Sequence, residues 1–186
     1  MNIILEKGRP LSCEGRQKRE TDVYDLLDRL KIPFERTDHE EANTMEACLE
    51  IDRVLETVIC KNLFLCNRQK TAYYLLMMPG DKPFKTKDIS GQIGSARLSF
   101  APPEDMERFL NIHPGAVSVM GLMNDTENRV QLLIDKPVLN FDTLGCHPCV
   151  STSSLRMKTR DVLDVFLPAV HHKPIVVDLP EYPKEG

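Results

Sequence analysis

The chain predicts a single mixed α+β domain, with a curved, largely antiparallel sheet and flanking helices. Three observations lead there. Helical and strand-like segments alternate without a strict βαβ rhythm. Two apolar runs, Val58 to Cys66 and Ala72 to Met78, are joined by the polar turn Asn67-Arg68-Gln69-Lys70, the pattern of a hairpin. The 186 residues show no internal repeat, linker or low-complexity segment, so one core suffices.

The elements follow in order. Residues 1–19 mix charges with Gly8, Pro10 and Gly15 and show no period, so a loosely ordered N-terminal segment is expected. The folded domain is placed at 20–180, with 181–186 as a C-terminal tail. Thr21 is a candidate N-cap and Asp22 suits the positive end of a helix dipole. Val23, Leu26, Leu27 and Leu30 recur at helical spacing until Pro33 stops the run. Phe34 to Thr37 reads as a short strand. A second helix is expected from Asn43, with Glu46 completing a capping box. The hairpin comes next, ended by Pro79-Gly80, and its continuous apolarity predicts a sheet packed on both faces. A short helix starts at Pro102-Pro103, with Glu104 and Asp105 in its first turn. Val130 to Ile134 and Val150 to Leu155 are strand candidates. Thr159 caps a last helix carrying Val162, Val165 and Phe166, and Ile175 to Val177 ends the fold as a strand.

Composition bounds the function. Apolar residues make up 41% and charged residues 28%, ordinary for a globular protein. No apolar run approaches the roughly 18 residues of a membrane span, and the N-terminus lacks a signal-peptide pattern. A cytoplasmic protein with no membrane partner is expected. In that compartment the six cysteines are thiols. A net charge of −4 argues against a broad nucleic-acid surface, but a local basic patch suffices for a small RNA contact.

Several residues carry candidate chemistry. Lys61 shares a strand face with Ile59, Leu63 and Leu65. An ammonium among aliphatic neighbours needs an anionic partner or a path to water. Spacing alone favours a packed stem with its head in water. The segment Pro114 to Gly121 sets two glycines around small residues, which permits close backbone approach to a ligand. It lacks the Gly-Lys-Ser/Thr ending of a phosphate loop, so pattern alone favours an ordinary turn between two elements. Gly145-Cys146-His147-Pro148-Cys149 invites a zinc or redox reading, but no second ligand pair completes a metal site. No Gly-x-Ser-x-Gly motif is present. Lys82, Lys85 and Lys87 form the one local patch suited to a phosphodiester backbone.

These segments together resemble the YbaK-type aminoacyl-tRNA editing domains, which also occur inside bacterial prolyl-tRNA synthetases. The resemblance runs from about Thr21 to Leu179. It is carried by Ile59-Cys60-Lys61-Asn62-Leu63-Phe64-Leu65, by Lys85-Thr86-Lys87-Asp88, by His113-Pro114-Gly115-Ala116-Val117-Ser118, and by Gly145-Cys146-His147-Pro148. It is closest to the free-standing alanyl-tRNA(Pro) deacylases. The resemblance implies a hydrolase acting on mischarged tRNA(Pro), without cofactor or metal. Prolyl-tRNA synthetase is a second candidate partner. Lys61 takes the catalytic position. Asn62, Gly115, Ala116, Val117, Ser118, Gly121, His147 and Thr152 are expected around the substrate, and Lys82, Lys85 and Lys87 along the tRNA. The family loop commonly ends in proline where this chain has Val119. The following strand often carries asparagine where this chain has Ser151, a contact Thr152 would replace. Alternative readings are a cysteinyl-tRNA(Pro) deacylase, a non-catalytic paralogue that holds tRNA or an amino acid, and a zinc or redox protein built on Cys146 and Cys149.

Overall fold

The computed structural model describes residues 2–183. The expected α+β domain is present, but its strands divide between two sheets. The first, in the order β1-β2-β8-β7, is antiparallel throughout and comprises Leu5–Lys7, Phe34–Asp38, Ser153–Lys158 and Thr143–Cys146. The second, in the order β5-β3-β4-β6-β9, comprises Leu98–Phe100, Lys61–Asn67, Tyr73–Met78, Val130–Asp135 and Ile175–Val177. Its first two pairings are antiparallel and the last two, β4 with β6 and β6 with β9, are parallel.

Strand alternation builds two cores. On β3, β4 and β6, Phe64, Cys66, Tyr73, Leu75, Met77, Val130, Leu132 and Ile134 face inward. There they meet Phe34, Leu144, Leu155 and Met157 of the other sheet, joined by helices α1 (Lys18–Arg29) and α4 (Pro103–Leu110). The intervening residues Leu65, Leu76, Met78 and Leu133 form a smaller cluster on the opposite face with Ile89, Val177 and Leu179. Helix α3 (Lys87–Ile93) supplies Ile89. The hairpin strands are therefore apolar on both faces because both are covered.

The two sheets touch where Ile59 bridges Gly145, and the Cys60 N–H donates to the Gly145 carbonyl at 3.0 Å. Glycines on both sides make this approach possible. A Cβ on Gly80 would strike the Ile59 carbonyl, and one on Gly145 would lie 3.1 Å from Ile59 Cα. This junction prevents β3 from starting at Val58 as expected; the ladder begins at Lys61.

The N-terminal segment is more ordered than its composition predicts. β1 pairs with β2, and Glu6 sits directly opposite Arg36, with which it forms an ion pair. Arg36, 2% exposed, also pairs with Asp38, which Arg16 holds at 2.7 Å. Burial alone would raise the Asp38 pKa, but Arg16 and Arg36 outweigh it and hold the carboxyl below its ordinary range. The charges that suggest a solvated tail are partners of residues 20 to 30 positions away, which no local pattern shows. The capping expectations shift too. α1 begins after Gln17, while Thr21 lies inside the helix and donates to the Lys18 carbonyl. Helix α2 (Met45–Leu55) is capped by Thr44, whose hydroxyl accepts from the Ala47 N–H at 3.2 Å. The strand expected at Val150 to Leu155 begins at Ser153. Of the expected tail, 184–186 lie outside the described residues.

Candidate active site

A cleft of about 600 Å³ opens between α2, the start of β3, and the loops after His113 and Cys146. Its walls include Asp52, Lys61, Asp81, Gly115, His147 and Ser151. Its size lies within the range of small-molecule sites. The topology alone brings these residues together, since three loops and a helix converge beside the sheet junction.

Lys61 opens β3 and is partly buried. Its Nζ donates to the Lys82 carbonyl at 2.8 Å. Among the described residues no carboxylate lies within ion-pair distance of it. Asp52 and Asp81 line the same cleft without forming a salt bridge to Lys61, and two of the three N–H donors of its ammonium stay open. Its neighbour Asn62 donates from Nδ2 to the Cys60 carbonyl at 3.0 Å. Asn62 Oδ1 is buried without a partner among the described residues, but the side chain does not line the cleft.

His147 is set by its hydrogen bonds. Nδ1 lies 2.8 Å from the Ser153 carbonyl, which can only accept, so Nδ1 carries the proton and Nε2 the lone pair. Ser154 Oγ lies 3.4 Å from the same nitrogen and 2.8 Å from His39 Nε2. Burial lowers the His147 pKa below 6.5, the Ser153 contact opposes this, and His39 adds to it. The ring is thus neutral near neutral pH and presents an acceptor nitrogen.

The glycine loop divides between two roles. Gly115 lines the cleft at φ +91, a conformation that favours glycine, and Pro114 lies beside it. Ala116 and Ser118 are buried and Val117 packs against the main core, so none of these three side chains lines the cleft. Ser118 accepts from the Met120 N–H at 3.1 Å and caps a 3₁₀ turn over Val119–Asn124. That cap, with Val119 fully buried, holds the loop where the family commonly has proline. Gly121 is a packing glycine, since a Cβ there would lie 2.6 Å from Ile112 Cδ1. Thr152 is exposed and away from the cleft, and its carbonyl accepts from the His39 N–H. Ser151 lines the cleft instead and donates to Glu41 at 2.9 Å.

The three lysines separate as well. Lys82 is not a surface residue. It is 6% exposed and pairs at 2.8 Å with Asp135, which is fully buried, so it is unavailable to tRNA. The positions around it resemble a basic run because the burial of one member depends on β6, about fifty residues further along the chain. Lys85 and Lys87 are exposed and border a shallow depression with Thr86, Ser90 and Arg97. Lys85 lies over the Tyr182 ring at 4.1 Å. Cys146 and Cys149 are buried, and burial raises both thiols, Cys146 to about 12. That disfavours the thiolate which zinc or redox chemistry requires.

Sequence reasoning passes over Asp52, whose pKa burial raises and a hydrogen bond from the Ile59 N–H at 3.3 Å opposes. The available signal is helical spacing. Met45, Leu49 and Asp52 share one face of α2, and all three line the cleft. Arg97 belongs to the same basic stretch of sequence, but only the fold makes it a partner of Lys85 and Lys87.

The fold and the cleft define an α+β domain that sets a lysine with no salt bridge among the described residues in one cleft with a neutral imidazole. The chain belongs to the aminoacyl-tRNA editing domain family, whose model matches residues 39–165. It is 30% identical over 140 residues to the prolyl-tRNA editing protein ProX of Acetoanaerobium sticklandii, covering 75% of this chain and 85% of that protein. It is 25% identical over 158 residues to prolyl-tRNA synthetase associated domain-containing protein 1 of Danio rerio, covering 84% and 85%. Its fold matches a crystal structure of a protein proposed as a trans-editing enzyme for prolyl tRNA synthetase, with a TM-score of 0.66 at 14% identity, over 89% of this chain and 99% of the other.

Proposed function

We propose that this protein is a cytoplasmic hydrolase that removes alanine from mischarged alanyl-tRNA(Pro) and acts in trans to prolyl-tRNA synthetase. The observation that carries this reading is Lys61. Its ammonium forms no salt bridge among the described residues and lies in a cleft it shares with neutral His147 and the Gly115 backbone. Membership of the editing family and the similarity to ProX support the substrate class.

The chemistry is ester hydrolysis by water. Water oxygen attacks the aminoacyl carbonyl carbon, the bond to the ribose oxygen breaks, and the water proton passes to that oxygen. Free alanine and an uncharged tRNA end result. Lys61 fixes the ester and its neighbouring phosphate by charge, which favours reaction through positioning. The Gly115 N–H would steady the carbonyl oxygen as it gains charge, since the Ala116 N–H already donates to the His113 carbonyl and Pro114 has none. His147 Nε2 accepts from the attacking water or from the substrate ammonium. The test is hydrolysis of alanyl-tRNA(Pro) by purified protein against the spontaneous rate. No acceleration of the alanyl or the cysteinyl ester would favour the non-catalytic binding module.

On this reading the acceptor end would reach the cleft from the side of Lys85. Asp81 lies on its wall, and Lys85 follows four residues later, at most roughly 14 Å along the chain. Lys85, Lys87 and Arg97 would then meet the phosphates. Changing all three to alanine should weaken tRNA binding and reduce the salt slope by about one for each phosphate that is no longer neutralised. Lys82→Ala should instead lower stability. An unchanged salt slope in the triple variant would return this depression to ordinary surface.

A further inference from the structure

We propose that the buried Lys82–Asp135 ion pair is a positioning device for Lys61, acting through the Lys82 backbone carbonyl. The inference rests on the reading of Lys61 as the catalytic group. On β3, Lys61 shares the outer face with Leu63 and Leu65; on β6, Asp135 shares that face with Leu133. Lys61 pairs across to Met78 of β4, and Met77 pairs with Ile134 of β6. Lys61 and Asp135 therefore stand at the same end of the sheet, separated by one strand, about 10 Å apart.

Lys82 spans that gap. Its Nζ donates to Asp135 Oδ2 at 2.8 Å and to the Leu179 carbonyl at 2.6 Å. Its own carbonyl accepts from Lys61 Nζ at 2.8 Å. Asp135 is held in turn, since its Oδ1 accepts from the Leu179 N–H at 3.0 Å. The segment after β4 is thus pinned to β6 and to the chain leaving β9. One result of this pinning is a fixed acceptor for the Lys61 ammonium.

A buried ion pair is a poor source of net stability, because desolvation offsets most of the attraction. An apolar side chain at position 82 would lie beside Leu179 without that cost. What an apolar residue would not supply is a directional tie across β4. The carbonyl holds one of the three ammonium donors and leaves two for the cleft.

The experiment compares wild type with Asp135→Asn, with the double variant Lys82→Met/Asp135→Asn, and with Lys82→Arg. Asparagine keeps an acceptor for the Leu179 N–H, and the double variant removes both charges together, so it leaves no unpaired buried charge in a folded protein. The expected result for the double variant is a cooperative melt, KM for alanyl-tRNA(Pro) within about twofold of wild type, and kcat reduced at least tenfold. Misplacement of a reacting group by about 1 Å costs up to a hundredfold. Lys82→Arg keeps the pair and should recover most of the turnover. A second readout needs no activity: nitrogen NMR of the Lys61 ammonium should show faster hydrogen exchange in the double variant. Wild-type kcat with unchanged ammonium exchange in a folded double variant would overturn the proposal. If wild type hydrolyses no ester, the functional reading fails instead, and ammonium exchange alone decides whether Lys82 positions Lys61.

Discussion

Lys61→Ala should lower the rate of alanyl-tRNA(Pro) hydrolysis at least about a hundredfold and leave the melting transition in place. The size follows from the setting. A charge aimed at a developing oxyanion or a fixed phosphate in a sheltered site is worth roughly 2.7–4 kcal/mol. The fold should survive because Lys61 has no ion-pair partner to orphan among the described residues. Its removal frees one backbone carbonyl, that of Lys82, beside a cleft that water reaches. Lys61→Arg should not restore the rate, because a planar guanidinium cannot take the place of a compact ammonium held by a single carbonyl. Single-turnover assays at saturating enzyme separate this loss from weaker tRNA binding. A folded Lys61→Ala protein with wild-type turnover would remove Lys61 from the chemistry.

Hydrolysis of alanyl-tRNA(Pro) should exceed that of prolyl-tRNA(Pro) by about 10–200-fold. Alanine is smaller than proline, so a synthetase pocket built for proline cannot exclude it by size. One methylene in an apolar pocket is worth only about 1–3 kcal/mol, which is why a second sieve is needed. The structure moves the expected wall of that sieve. Of the loop from Gly115 to Ser118, only Gly115 borders the cleft, while Ala116 and Ser118 are buried behind it. If the sieve holds, discrimination would fall to the Pro114-Gly115 backbone, the residues around Cys60 and Lys61, and the α2 side chains Met45 and Leu49 that also line the cleft. The cleft, at about 600 Å³, has room for more than an acyl group, so the terminal nucleoside is expected to fill the rest. Parallel assays of the alanyl, cysteinyl and prolyl esters decide the matter. Faster release of cysteine than of alanine would reassign the substrate, and rapid release of proline would abolish the sieve.

Much of the fold is legible in the sequence because its signals are local. The hairpin of β3 and β4 shows as two apolar runs around a polar turn, and α4 as Pro103 with acidic residues behind it. Alternation along β3 places Lys61 on a face with Leu63 and Leu65, and both leucines lie on that face. The departures have a common cause. The segment 1–19 reads as loose because the partners of Glu6 and Arg16 lie on β2. The helix starts move by one to four residues: α1 begins after Gln17, which makes no side-chain cap, and α2 after Thr44, whose hydroxyl does.

The sequence by itself determined the class of the domain, the strand carrying Lys61 and the loops carrying Gly115 and His147. Periodicity, turn chemistry and the editing-family pattern are written in consecutive residues. Only the tertiary structure decided what those residues do for one another. It buried Lys82 against Asp135, left Lys85, Lys87 and Arg97 in solvent, and assigned Ser118 and Gly121 to packing. It also turned the Lys82 carbonyl toward the Lys61 ammonium. A lysine in solvent and a lysine in a core read alike along the chain. The difference is the free energy of desolvation, and that depends on which distant strand supplies the opposing charge.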